Sequence, residues 1–127
     1  MVGSLHIKML FFDTYALIEI INGSERYRKY LRITPITTKL NLMELYYCLL
    51  RERGEEKAEF YYNFYLPSCI SISDEVIKNA MKLKLKFKAK RLSYADCIGY
   101  ILALGLGIKF LTGDKEFKNM ENVEFVK

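Results

Sequence analysis

Short apolar strand patterns alternate with helical patterns along this 127-residue chain. Residues 5–12 form an apolar run suited to a buried central strand, and the Asp13-Thr14 pair after it is a helix start signal. Further strands are predicted at residues 33–37, 69–71, 108–111 and 123–126, the first of them near a sheet edge because it contains Pro35. Strands joined through helices make right-handed βαβ units. The sequence therefore predicts an α/β fold whose mostly parallel sheet is covered by helices on both faces.

Apolar residues at helical spacing predict the helices between these strands. We expect helices at residues 13–21, from about residue 24, at 38–53, 55–65, 73 to about 85, and 93–104, the last ended by Gly105 and Gly107. Residues 81–91 alternate apolar side chains with lysine, which is also the period of a strand. Because leucine, lysine and methionine favour helix, we expect helix to about Leu85 and then a basic connection.

Four carboxylates lie where a strand pattern gives way to a helix, or just inside the helix that follows: Asp13, Glu44, Asp96 and Asp114. In an open α/β sheet the loops after the carboxyl ends of strands converge on one crevice. Two such charges about 4 Å apart repel by roughly 4 kcal/mol near a protein surface. A bound divalent cation offsets that repulsion, so the sequence predicts a metal site.

Each of these acids also has a simpler explanation. Asp13 and Asp114 are placed to cap helices, Asp96 is placed as the capping-box partner of Ser93, and Glu44 is placed on the flank of an apolar stripe. Caps are commoner than metal ligands, so it is the set of four that carries the prediction.

The ligand types indicate which metal would bind. All four are oxygen donors, and the single histidine, His6, lies in the first strand pattern, where we expect a core residue. Zinc would need imidazole or thiolate ligands, so we expect Mg²⁺ or Mn²⁺. The sequence contains no GxGxxG, P-loop or GxSxG motif that would indicate nucleotide binding or serine hydrolysis.

The composition is that of one globular domain, here expected over residues 1–127, with 51% hydrophobic and 28% charged residues. Three cysteines without a CxxC pair are expected to be small buried residues in a reducing compartment. No apolar run is long enough to cross a bilayer and no secretory signal is visible. We expect a cytoplasmic protein that makes no membrane contact.

Basic residues are clustered, with six of the twenty in residues 82–91 and four more in residues 26–32. Such clusters suit a polyanion, although from charge alone a solvated helix face with a loop is the preferred explanation. The candidates for gripping a nucleic-acid backbone are Lys82, Lys84, Lys86, Lys88, Lys90 and Arg91. Tyr94 beside them could stack on an unpaired base, or could equally be a core or surface residue.

The chain resembles the PIN-domain ribonucleases, and in particular the small VapC-type toxins of prokaryotic toxin–antitoxin pairs. The resemblance lies in four segments in the family's order and spacing: FFDTYAL around Asp13, NLMELYYCLLRE around Glu44, LSYADCIGYILAL around Asp96 and IKFLTGDKEF around Asp114. It covers essentially the whole chain apart from residues 1–4.

The resemblance implies a three-layer PIN-like fold with a twisted sheet of four to five strands, and it matches the four acids to the family's acidic quartet. It matches Thr112 to a supporting hydroxyl position. It also implies a homodimer and an antitoxin partner whose tail enters the active-site groove. We expect such contacts on the aromatic helix at residues 60–65.

Our hypothesis is a Mg²⁺- or Mn²⁺-dependent ribonuclease in which Asp13, Asp96 and Asp114 bind metal while Glu44 binds metal or orients the attacking water. Such hydrolysis leaves 5′-phosphate and 3′-hydroxyl ends. The alternatives are a PIN module that binds RNA or protein without catalysis, a nuclease acting on DNA, and a haloacid dehalogenase-type phosphatase. That phosphatase family expects DxD after the first strand, and here Asp13-Thr14-Tyr15 lacks the second acid.

Overall fold

The computed structural model describes residues 8–127, which form a four-stranded parallel sheet with helices on both faces. The strands are β1 (Met9–Phe12), β2 (Thr34–Ile36), β3 (Phe110–Thr112) and β4 (Val123–Phe125). Their order across the sheet is β2-β1-β3-β4, and all three neighbouring pairs are parallel. This confirms the predicted fold class and the edge position of β2. Predictions for residues 1–4, the strand start at 5–7 and His6 lie outside the described residues.

The α-helices are α1 (Thr14–Ile21), α2 (Lys39–Arg53), α3 (Glu55–Tyr65), α4 (Asp74–Lys86) and α5 (Tyr94–Leu106). A 3₁₀ helix, Glu25–Arg32, joins α1 to β2, and two single turns lie at Leu66–Ser68 and Lys115–Phe117. Within residues 8–127, no helix has the length and apolar character needed to cross a membrane.

Alternate side chains of β1 divide the core into the two layers that flank the sheet. Leu10 and Phe12 pack with α1, α2 and the 3₁₀ helix, whereas Phe11 packs with α4, α5 and β3. Phe11 and Phe110 stack with ring centroids 5.5 Å apart. Since successive strand residues point to opposite faces, one apolar run supplies both layers.

The predicted strand at residues 69–71 is wrong. Only Cys69 pairs, through an isolated parallel bridge to Thr37, with Ile70 N donating to Thr37 O at 3.0 Å. The chain then leaves the sheet edge for Ser73, whose side chain caps α4 by accepting from Val76 N at 3.2 Å. A helix cap so close in sequence leaves no room for a strand.

The ambiguous lysine-rich stretch is helical to Lys86, which confirms the prediction. Its alternating apolar residues cannot share one helix face, so Leu85 is left 71% exposed while Ala80 is buried. The end of α5 differs slightly from expectation, because Gly105 is helical and only Gly107, at φ 68°, ends the helix.

The cysteines are all free, but only Cys97 is fully buried, while Cys48 and Cys69 are half-buried. The prediction that all three are buried is therefore wrong for two of them. Cys48 lies on the partly exposed side of α2, where its thiol donates to a Glu52 carboxylate oxygen at 3.1 Å.

Gly99 on α5 offers a test of this packing. A Cβ at position 99 would lie 2.6 Å from Phe11 Cε1 and 3.1 Å from Phe110 Cε1. We expect Gly99→Ala to destabilise the protein by about 1–3 kcal/mol through overpacking. Urea unfolding followed by circular dichroism measures the change.

The matched control is Gly105→Ala in the same helix, where a Cβ would meet nothing within 4 Å. Because alanine has the higher helix propensity, this variant should be stabilised by up to about 1 kcal/mol. Equal effects of the two substitutions would contradict the close approach of α5 to β1 and β3.

Candidate metal centre

The two central strands end side by side, and an acid follows each of them. Asp13 comes directly after β1 and Asp114 lies two residues beyond β3, while Asp13 N donates to Leu111 O at 3.3 Å. Asp96 lies in the first turn of α5, and Glu44 lies in the second turn of α2. The sheet edge predicted to gather the acids is therefore where two of them lie.

Asp13 is almost fully buried, with 2% of its surface exposed. Its Oδ1 accepts from Ala16 N at 2.8 Å and so caps α1. The pKa of this carboxyl is raised to about 8, mainly by burial and also by the charges of Asp96 and Asp114. Hydrogen bonds from Thr112 and Ala16 act in the opposite direction and lower it.

Asp96 forms the predicted capping box with Ser93. Ser93 N donates to Asp96 Oδ2 at 2.8 Å, and Asp96 N donates to Ser93 Oγ at 3.0 Å. The pKa of Asp96 is raised to about 6, mainly by burial and also by the charges of Glu44 and Asp114. The hydrogen bonds with Ser93 act in the opposite direction and lower it.

Asp114 is held by the turn that it begins. Its Oδ1 accepts from Glu116 N at 3.0 Å, and its own N donates to Thr112 Oγ1 at 3.0 Å. The buried Thr112 hydroxyl also bonds to Asp13. Thr112 thus links two of the acids, in keeping with the supporting role proposed for it.

Glu44 is not merely a solvated flank residue, because it ends a chain of hydrogen bonds. Thr14 Oγ1 donates to Glu44 Oε1 at 2.6 Å, and Asn41 Nδ2 donates to Thr14 Oγ1 at 3.2 Å. Asn41 Oδ1 in turn accepts from Thr38 Oγ1 at 2.7 Å.

Sequence reasoning did not assign Thr14 and Asn41 to the site. Thr14 follows Asp13 directly, and Asn41 lies one helical turn before Glu44, so both stand at spacings from which a contact could have been inferred. A polar residue on the buried face of a helix needs a partner, and the fully buried Asn41 finds it in this chain.

Electrostatic repulsion connects the four acids through Asp96, which interacts with each of the other three. The charges of Asp96 and Asp114 act on Asp13, and those of Glu44 and Asp114 act on Asp96. Two ion pairs are found in residues 8–127, Arg28–Glu25 and Arg51–Glu52, and neither includes a member of the quartet. Within the described chain, no basic side chain is therefore paired with these acids.

Each acid accepts a local hydrogen bond at one carboxylate oxygen, and Asp13 has a second donor in Thr112. Over the described part of the chain, no three His, Cys, Asp or Glu side chains are placed close enough together to hold a metal ion. The donors are nevertheless all hard oxygens, which is the set that Mg²⁺ and Mn²⁺ prefer. The chemistry of the donors therefore suits such an ion, while the side chains as placed in residues 8–127 do not yet form a three-ligand site.

The lysine patch, defined as Lys82, Lys84, Lys86, Lys88, Lys90 and Arg91, borders this centre. Lys84 Nζ donates to Leu92 O at 2.5 Å and Lys90 Nζ donates to Glu116 O at 2.9 Å, so these two are tied to the segments that carry Asp96 and Asp114. The other four are exposed. Tyr94 is 64% exposed, with Lys84 Nζ 5.0 Å from its ring centroid.

The family model described as PIN domain matches residues 10–123 of this chain. The chain therefore belongs to the PIN domain family. No curated protein sequence matches it.

Solved structures of toxin–antitoxin proteins share the fold. VapC20 of Mycobacterium tuberculosis, described as a sarcin-ricin loop cleaving toxin, has a TM-score of 0.78 at 15% identity, over 93% of this chain and 99% of that one. VapBC2 of Rickettsia felis, bound to a DNA fragment from its promoter, has a TM-score of 0.71 at 18% identity, over 94% of this chain and 99% of that one. A toxin–antitoxin complex of Klebsiella pneumoniae has a TM-score of 0.70 at 19% identity, over 91% of this chain and 95% of that one.

The raised pKa values predict how the metal-free protein responds to pH. In the folded protein Asp13 keeps its proton up to about pH 8 and Asp96 up to about pH 6, whereas the unfolded chain releases both near pH 4. Folding stability is therefore greatest in mild acid and is lost as the pH rises through about 6 and 8. We expect a loss of roughly 2–4 kcal/mol between pH 5 and 8 in EDTA. Urea unfolding at each pH measures it.

Asp13→Asn should flatten this decline, because asparagine keeps an oxygen for the cap to Ala16 N but carries no charge. Asp74→Asn, at an exposed acid in the first turn of α4, is the control and should leave the decline unchanged. If folding stability fell equally with pH in the wild type, Asp13→Asn and Asp74→Asn, the raised pKa of Asp13 would be contradicted.

Proposed function

We propose that this protein is a Mg²⁺- or Mn²⁺-dependent endoribonuclease that acts in the cytoplasm as the toxin of a toxin–antitoxin pair. The observation that carries the proposal is that Asp96 and Asp114 repel Asp13, and Glu44 and Asp114 repel Asp96, near the carboxyl ends of the strands, with no basic side chain of residues 8–127 paired to these acids. The RNA substrate is supported by the fold shared with a toxin described as cleaving the sarcin-ricin loop.

Asp13, Asp96 and Asp114 would hold the ion, with Glu44 as a further ligand or as the group that orients the attacking water. When bound, a divalent cation lowers the pKa of water and stabilises charge on the reacting phosphate. Phosphodiester hydrolysis of this kind leaves 5′-phosphate and 3′-hydroxyl ends, because the ribose 2′-hydroxyl takes no part.

The protein's own contribution is orientation. Thr112 holds Asp13 and Asp114 in a fixed relation, and the Thr14 hydroxyl fixes one oxygen of Glu44. Three of the acids also accept from main-chain N–H groups, Asp13 and Asp96 at helix N-termini and Asp114 in a 3₁₀ turn. These local dipoles favour the ionised, ligand-competent form of each carboxylate.

The lysine patch would grip the phosphate backbone, supplying affinity that falls as salt rises. Lys82, Lys86, Lys88 and Arg91 are free of the main-chain contacts that hold Lys84 and Lys90. The exposed ring of Tyr94 lies two residues before Asp96, a suitable position for stacking on an unpaired base.

Protein partners would bind on the aromatic face of α3. Phe60 and Phe64 are 60% and 62% exposed and stack on each other with centroids 6.3 Å apart. Neighbouring exposed apolar residues on α2 include Met43 and Tyr47. Large aromatic residues exposed together are typical of interfaces, which supports a cognate antitoxin here and a homodimer as the active form.

The metal requirement is tested by cleavage of mixed RNA and DNA oligonucleotides during titration with Mg²⁺ and Mn²⁺. We expect cleavage of RNA that EDTA abolishes and that Asp96→Asn lowers by at least about 100-fold, because the substitution removes a ligand charge. Asparagine can still accept from Ser93 N, so the helix cap should survive. Asp74→Asn should cleave as the wild type does.

The chemistry of the product ends separates this mechanism from a metal-independent one. Mass spectrometry should find 5′-phosphate and 3′-hydroxyl termini. Termini with 2′,3′-cyclic phosphate, or activity that survives both EDTA and Asp96→Asn, would defeat the proposal. Cleavage of the DNA alone would replace ribonuclease with deoxyribonuclease.

The toxin role has its own test in living cells. Induced expression in a bacterial host should arrest growth, and Asp96→Asn should restore growth at an equal protein level because it removes the catalytic centre. Optical density and an immunoblot measure the two quantities. A purified protein that cleaves RNA without arresting growth would be a housekeeping nuclease instead.

A further inference from the structure

A second basic surface lies on the other side of the sheet from the lysine patch. It is an open groove of about 1120 Å³ between the 3₁₀ helix Glu25–Arg32 and the end of β4. We call it the arginine groove and define it by its basic side chains, Arg26, Arg28, Lys29, Arg32 and Lys127.

The floor of the arginine groove is firmly held. Tyr27 and Tyr30 of the 3₁₀ helix are buried in the core layer of α1 and α2. Tyr27 Oη donates to Val126 O at 2.6 Å, and Tyr30 Oη donates to the Glu124 carboxylate. Because these two tyrosines anchor the helix to β4, the basic residues between and around them project outward from a fixed base.

Acidic side chains oppose little of the positive charge of the groove within the described chain, although Arg26 Nη1 donates to Lys127 O at 3.4 Å. Its lining includes a single acid, Glu25, which pairs with Arg28 at 3.5 Å while both side chains remain exposed. Exposed pairs of this kind are weak. Glu124 lies nearby but is engaged by Tyr30. Arginine makes paired hydrogen bonds to phosphate, so the groove suits a chain of phosphate groups.

One wall of the groove lies beside the segment that leads from β3 to Asp114. Val126, in its wall, donates from N to Thr112 O at 2.8 Å. A Cβ on Gly113 would lie 2.4 Å from Val126 O and 2.2 Å from the Tyr15 ring, so these residues are in close contact beside Asp114. Lys127 Nζ lies 5.8 Å from the centroid of the Tyr15 ring, and Tyr15 follows Asp13 by two residues.

We propose that the arginine groove binds the sugar–phosphate backbone of single-stranded RNA on one side of the scissile bond, while the lysine patch holds the other side. The inference rests on the proposed nuclease function and names a substrate path for it. An acidic peptide would meet the same cations. The position of the groove beside the segments that carry Asp13 and Asp114, two acids of the proposed cleavage centre, favours RNA.

The test measures RNA binding in an Asp96→Asn background, so that the RNA stays intact. A labelled single-stranded RNA of about 20 nucleotides is titrated by fluorescence anisotropy at several salt concentrations. We expect Arg28→Gln with Arg32→Gln to weaken binding by about tenfold near physiological salt. The slope of log affinity against log salt should fall in magnitude by about 1.4, at roughly 0.7 for each lost phosphate contact.

The matched control removes two positive charges at the opposite edge of the sheet, by Lys8→Gln with Lys109→Gln. These exposed lysines precede β1 and β3, whereas the acids follow the carboxyl ends of the same strands. The control should bind RNA as the Asp96→Asn background does. Circular dichroism verifies that both pairs of substitutions leave the fold intact, as expected for exposed side chains.

The outcomes separate the groove from the nuclease function. Affinity and salt slope that match the control would overturn the groove proposal, even if Asp96→Asn abolishes cleavage. Weakened binding of oligoglutamate with unchanged RNA binding would also overturn it, in favour of an acidic peptide partner. Loss of RNA affinity in the arginine variant alone supports it, whatever the cleavage assay shows about the metal.

Discussion

The burial of Asp13 at the carboxyl ends of the strands, close to other carboxylates, is the constraint on which the rest of this structure depends. Asp13 is buried between the ends of the two central strands, and the charges of Asp96 and Asp114 act on it there. Such a cluster is unfavourable unless protons, main-chain dipoles or a cation offset the repulsion. The main chain supplies part of this compensation, since three of the acids accept from backbone N–H groups. Within residues 8–127 no basic side chain pairs with them. In the proposed function, a divalent ion would offset the remaining repulsion.

Capping and metal binding are compatible roles for the same carboxylate. An oxygen that accepts from a backbone N–H fixes the direction of the other oxygen, so a cap can orient a ligand. Asp96 shows this arrangement, because its capping box with Ser93 fixes Oδ2. The simpler explanations of Asp13, Asp96 and Asp114 as caps are therefore correct, and they describe how the acids are held in the site. The same logic extends to Glu44 through Thr14.

The distribution of charge divides the molecule into an acidic centre and basic flanks. The sheet separates two core layers, and each layer carries one basic surface, the lysine patch on the side of α4 and α5 and the arginine groove on the side of α1. A chain with a net charge of +5 thus has its four acids near the carboxyl ends of the strands and a basic surface on each core layer. A polyanion attracted to the flanks would be brought past the acids, where a cation is needed to offset the repulsion between substrate and protein.

The sequence by itself determined the α/β class, most helix limits and the capping box at Ser93, because these follow from local periodicity and capping chemistry, and the quartet stays its prediction from the position of acids after strands. It could not determine that residues 69–71 form only one bridge, since pairing depends on where the edge of β2 lies in space. Tertiary structure alone decided that Thr14 and Asn41 orient Glu44, and that Val126 brings the arginine groove beside Asp114. Thr14 lies 27 positions from Asn41 and 30 from Glu44, and Val126 lies 14 positions from Thr112, so no local pattern encodes the distance between them.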